Sequence, residues 1–338
     1  MNPSQAILLA SLLLPALAIP CLWDTETVVT EDTEFPTELE FLAGKFARHS
    51  DAYYRWRVEN RKERFYARSE NGSKPNAERG SGSFDDLNDL AVAYDKLGQH
   101  DSAIATMEKS LARNGTRYEI LANLGTFHFH NRNLAKGLPF IDSAIAINPD
   151  AHFGREIYQR LLVEFVLGHE YAYAHASRLP LSPGRTGSTA AHGFARFLAG
   201  KKRAKGLSKT ERDKAITGVL GMMKFGDHRS PILLEAYGDL VAARGRAGKA
   251  LATMAYLKAS RMVADSSQAK AYRDLAAAVA ERPSALEASA QNLTMLMRQG
   301  DAHFQGISSD EKRWIQAGSN VDSLYSAKYL PKKSRSGF

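Results

Sequence analysis

The sequence predicts an all-α protein in which helical hairpins stack into an array, and three observations carry that expectation. Part of the chain repeats its own pattern at a shift of 34 residues, from position 84 to position 118. Self-similarity at such a period is the signature of an architecture built from one repeated supersecondary unit. Apolar residues recur three and four apart over most of the remainder, and no run alternates apolar with polar residues as a half-buried strand would.

Composition bounds the rest. The chain has 338 residues, 44% hydrophobic and 24% charged, the balance of a folded globular protein rather than a disordered one. A net charge of +8 permits contact with anionic surfaces but says more about solubility than about function. Residues 6–18, AILLASLLLPALA, form an apolar run too short to span a bilayer. The run ends in Ala16-Leu17-Ala18, a small-x-small cleavage pattern, so residues 1–18 read as a signal peptide. The expected location is therefore periplasmic or secreted; a buried N-terminal helix is the alternative. Cys21 is the single cysteine and cannot form an internal disulfide. Pro20 stands where a lipobox needs a small residue, so lipid anchoring at Cys21 is not expected.

Residues 19–70 read as an acidic segment followed by a helix pair. Asp24, Glu26, Glu31, Asp32, Glu34, Glu38 and Glu40 come before any base. A helix is expected over 36–47, and Asp51 is placed to cap the next, packed through Tyr53, Tyr54, Trp56 and Val58. Arg55, Arg57, Arg61, Lys62 and Arg64 interleave with those aromatics. The expected reading is a solvated face countered by the acidic segment, not a nucleic-acid surface. Residues 71–83 have the composition of a flexible connector.

The repeats occupy 84–117 and 118–151. In the first copy Leu90, Ala91 and Tyr94 precede a turn at Gly98, with Ala103 and Met107 facing back; in the second the matching residues are Leu124, Gly125, His128, Arg132, Gly137 and Ile141. Small residues stand where helices cross and large ones fill the gaps beside them. The pattern and its spacing resemble the tetratricopeptide repeat family. His128 for an aromatic, Arg132 for the turn glycine, Ser110 for alanine and Gly115 for proline depart from it. A following helix over 152–167 extends the unit to 84–168, since two repeats leave an apolar face to cover. Segments such as CLWDTET, LGTFHFHNRNL and NPDAHFGREIYQ are also similar to exported bacterial repeat proteins, a likeness that brings no activity with it.

Beyond lie a loop-rich insert at 169–208 and a helical region at 209–305. The latter holds an amphipathic helix at 209–224, a degenerate third copy at 231–264, and a helix pair at 266–281 and 284–299. A basic tail, expected to fray, covers 306–338.

Chemistry-bearing motifs are weak. His128 and His130 point apart on one helix, HEYAYAH is not HExxH, and the GRTGSTAAHG stretch lacks the ending of a phosphate loop, so no metal and no cofactor are expected. Lys201, Lys202, Arg203 and Lys205 read as an exposed loop that admits weak contact with an anionic envelope surface.

The family resemblance implies a concave groove lined by first helices. It would be formed by Asp85, Asn88, Val92, Asp95 and Lys96, then Glu119, Ala122, Thr126, Phe129 and His130, with Glu156, Arg160 and Val163 from the following helix. The family's carboxylate clamp is absent. The expected function is a non-enzymatic scaffold binding a protein or peptide, with basic and apolar groups favoured in the ligand and no nucleic acid. Two alternatives stand: an enzyme whose site lies within 170–230, marked by a pocket joining Tyr171, Tyr173, His175 and His192, or a self-associating structural subunit.

Overall fold

A computed structural model describes residues 22–25, 35–69, 84–172, 179–181 and 193–330. The expected leader at 1–18, Cys21, and the loop residues Tyr173, His175 and His192 lie outside the described residues, as does the side chain of Tyr171.

Every regular element described is a helix. Thr37 and Glu40 form a capping box that starts α1 (Glu38–Ala43), and Gly44 ends it in the left-handed region. After α2 (Asp51–Ser69) come four helices in two hairpins: α3 (Phe84–Lys96) with α4 (His100–Asn114), and α5 (Tyr118–His130) with α6 (Leu134–Ile147). α7 (Arg155–Ala172) follows a single 3₁₀ turn, and α8 (Gly193–Lys201) leads into α9 (Lys209–Met222), which ends in a π-helical turn, Met223–Asp227. The degenerate copy is α10 (Pro231–Ala242) and α11 (Lys249–Met262), succeeded by α12 (Ser266–Ala280), α13 (Pro283–Gln316) and α14 (Val321–Tyr329).

The three copies share a turn. Gly98, Arg132 and Gly245 occupy the same place in copies beginning at 84, 118 and 231, and all are left-handed, with φ of 73°, 61° and 68°. Glycine adopts this region freely, whereas Arg132 does so at a cost of about 1 kcal/mol. The small residues act where the period places them. A Cβ on Gly137 would lie 2.6 Å from the carbonyl oxygen of Gly125, where helix backbones meet, and one on Gly238 would lie 2.7 Å from the Tyr256 ring that packs over it.

The main apolar core runs from α1 through α5–α13. Two smaller clusters join Leu22 to α3–α5 and α2–α3 to Val321. Two regions differ from the sequence expectation. Instead of a frayed tail, α13 continues to Gln316 and α14 follows, because Ile307, Val321 and Tyr325 are buried along their inner faces. Instead of a wholly solvated basic face, α2 buries Arg57 and Arg61, which are 1% and 4% exposed, while Arg55 stays exposed. Each buried guanidinium meets carboxylates, as a buried charge must. The basic cluster is exposed as expected: Lys201 closes α8 and pairs with Glu164, and Lys202 pairs with Glu211.

The early and late described helices meet. α13 packs on α11, α1 and α2. Glu311 accepts from the Ser50 backbone N–H at 3.0 Å, and Asp322 accepts from the Tyr53 hydroxyl at 2.7 Å and from Arg61 at 2.9 Å.

Candidate functional site

The first helices α3 and α5 stand side by side, and against them lies a piece of the chain itself, residues 22–25, irregular at Leu22 and Trp23 and bent at Asp24. Carboxamides hold its backbone. Asn123 accepts from the Trp23 N–H at 2.8 Å, and Asn88 and Asn123 both donate to the Trp23 carbonyl, each at 2.8 Å. Asn123 also donates to Asn88 at 2.8 Å, which fixes the orientation of both amides. Arg155 of α7 reaches the Leu22 carbonyl at 3.3 Å.

Side chains add to this grip. Leu22 is buried among Val92, Ala91 and Leu124, and Trp23 meets Tyr118 edge to face at 6.1 Å. Arg57 donates to Asp24 at 2.8 Å and lies 2.9 Å from Asp89, which also accepts from the Thr25 hydroxyl at 2.8 Å and from Arg61 at 3.0 Å. Burial works to raise the Asp89 carboxyl, but the two guanidiniums and the Thr25 hydrogen bonds outweigh it and hold the group ionised.

The expected groove residues divide into three groups. Asn88 and Val92 touch the resident segment. Asp95 and His130 meet beside it: the His130 Nδ1 is 2.8 Å from Asp95, and His100, at the start of α4, approaches the same carboxylate at 2.8 Å. Burial would raise the Asp95 carboxyl, yet the two imidazoles hold it well below the usual carboxylate range. Lys96 donates to the carbonyls of Phe225 and Gly226 in the π-helical turn. A cavity of about 300 Å³ opens here, lined by Leu22, Asp95, Lys96, His100, His130 and Asp227.

The remaining groove residues face elsewhere. Phe129 is fully buried against Gly137 in the main core, and Val163 is buried there too. Thr126 accepts from Gln159 at 3.0 Å, and Ala122 packs in the cluster that includes Trp23. Arg160 pairs with Asp142 and Glu164, Glu119 lies 3.7 Å from Arg117, and Glu156 is buried beside Arg155. Asp85 is exposed at the start of α3.

A second cavity, of about 170 Å³, adjoins the first through Leu22, Lys96 and Gly226 and is lined also by Arg48, His49 and His228. Burial, with Lys258 and Arg48 nearby, pushes the His228 imidazole well down, so the ring stays neutral.

Sequence reasoning missed Asp89, Asn123 and His100. Asp89 and Asn123 occupy one position in the two copies, next to the expected pair Asn88 and Ala122, so their repetition at the 34-residue shift was the available signal. His100 carries no local signal, because its neighbours Asp95 and His130 stand on separate helices that the hairpin turns bring together. No protein-family model, curated protein or solved structure matches this chain.

Proposed function

We propose that the protein is an exported, non-catalytic scaffold of the cell envelope or secreted space. It works by holding short protein segments in the groove of a tetratricopeptide-like array, and residues 22–25 are the resident occupant of that groove. One observation carries this reading: the first helices already grip a segment of chain, reading both the N–H and the C=O of one residue, Trp23, through Asn88 and Asn123. Carboxamides serve because a buried backbone needs both a donor and an acceptor.

The ligand chemistry differs from the basic segment expected from sequence. Asp89 is compensated by Arg57 and Arg61, and Asp95 by two histidines, so little negative charge is left for a basic ligand. The resident segment is apolar, aromatic and acidic, with Arg57 receiving its carboxylate. A partner presenting a Leu-Trp-Asp-Thr-like stretch would compete for these contacts. A second copy exchanging its own segment has the same chemistry and would give a dimer. The enzymatic alternative gains nothing from the described part of 170–230, where residues 179–181 and α8 pack into the core.

A labelled peptide of residues 22–30 tests the reading. Full-length protein carrying Trp23→Ala and Thr25→Ala, with its resident segment weakened, should bind this peptide at least tenfold more tightly than the unaltered chain. Adding Asn88→Ala and Asn123→Ala should abolish that binding. The reading fails if the doubly substituted chain keeps its native circular dichroism and shows no saturable binding.

A further inference from the structure

We infer that Asp95, His100 and His130 form a binding site for a divalent transition-metal ion of the zinc class. The three residues come from three consecutive helices, and one ligating atom from each lies within 4.8 Å of the other two. The carboxylate stands 2.8 Å from the His100 Nδ1 and 2.8 Å from the His130 Nδ1. Tetrahedral coordination at zinc bond lengths separates neighbouring ligand atoms by about 3.3 Å, so these contacts would open by only about half an ångström. The turn at Gly98 sets this geometry. It places His100 in the first turn of α4, over the last turn of α3 where Asp95 stands, while His130 ends α5 alongside.

Burial adds to this. The His130 side chain is only 9% exposed, and its Nδ1 and that of His100 converge on the one Asp95 carboxylate. An ion at their centre would be ligated by all three groups at once. The adjoining cavity leaves room for a further ligand, and Asp227 in its lining adds a second carboxylate. Asp95 and Asp227 together outweigh the Lys96 ammonium, whose hydrogen bonds go to the Phe225 and Gly226 carbonyls. Two imidazoles with one carboxylate suit zinc and its first-row neighbours, not magnesium, calcium or a thiol-seeking ion. This site stands independently of the peptide reading. The competing account is a metal-free bridge in which both histidines simply donate to Asp95.

The full-length protein, stripped with chelator and dialysed against Zn(II), should take up one equivalent, and Co(II) in its place should give visible d–d absorption. Zn(II) should raise the midpoint of thermal unfolding, and Mg(II) should not. His100→Ala, at a half-exposed position, should keep the native circular dichroism while losing at least tenfold in zinc affinity, as should His130→Ala. His128→Ala, two residues away on the other side of α5 and stacked on Phe140, should leave affinity unchanged. Uptake well below one equivalent, or an affinity that His100→Ala does not move, overturns the proposal, as does equal loss in His128→Ala.

Discussion

In the first hairpin pair, residues 22–25 are held by the neutral amides of Asn88 and Asn123 beside an ion-paired Asp89. In the degenerate copy, the positions matching Asn88 and Val92 are Glu235 and Asp239, and they too hold passing chain. Glu235 accepts from the Leu181 N–H at 2.9 Å and the Tyr272 hydroxyl at 2.8 Å. Asp239 accepts from the Phe194 N–H at 2.6 Å and the Tyr256 hydroxyl at 2.6 Å. The two faces thus hold backbone with different chemistry. An amide both donates and accepts without burying charge; a carboxylate only accepts, and it carries a desolvation cost. Burial pushes Asp239 up to about 6 despite its hydrogen bonds.

The sharpest way to break the comparison is at the charges. Asp89→Ala would leave Arg57 and Arg61 short of a shared buried counter-charge and should cost about 3–5 kcal/mol in urea unfolding. Glu235→Ala strands the neutral donors Tyr272 and the Leu181 N–H and should cost about 1–3 kcal/mol. Equal losses would show that the two faces are held alike.

Titration separates them further. With Asp239 at about 6 in the fold against 3.8 as its ordinary value, the folded chain binds the extra proton between those limits. Its contribution to stability is therefore fully present below the ordinary value and falls as pH rises through the folded one, by an amount on the order of 3 kcal/mol. Asp239→Asn should flatten the unfolding free energy across that interval, and Asn123→Ala should leave its slope alone.

Packing gives a smaller contrast. Gly125→Ala would meet Ile141 at 2.5 Å and the Gly137 backbone at 3.1 Å, and should cost about 1–3 kcal/mol. Gly238→Ala meets the Tyr256 ring alone and should fall at the lower end, as thermal midpoints would show. The smallest effect belongs to the shared turn, where Arg132→Gly should stabilise by up to about 1 kcal/mol while leaving the groove intact.

The helices were legible because their signals are local. The turn at 98, the small residues at 125 and 137, and the helix that α9 forms all read directly from sequence. Asn88, Val92, Asp95 and His130 follow from the family resemblance. What lies against α3 and α5 was not legible. Trp23 and Asn123 are 100 residues apart, and no local pattern links a backbone carbonyl to a distant amide. Phe129 failed as a groove residue for a related reason: the glycine opposite it, Gly137, makes a slot that draws the ring into the core. Fraying was expected of the tail because its charges are conspicuous, while the apolar positions that dock its described part are spread over α13 and α14.

The return of α13 onto α1 changes how the molecule can come apart. Gly300 sits so close to the Ala43 and Gly44 backbone that a methyl group there would collide with it. In an open stack of repeats, terminal units peel away and the remainder survives with its own nearest-neighbour contacts. Here α13 is a neighbour of α1, and α14 reaches α2 through Asp322 and Tyr53, so early and late helices brace one another. Releasing that clasp bares α1 and α13 at once, and removing either takes support from both.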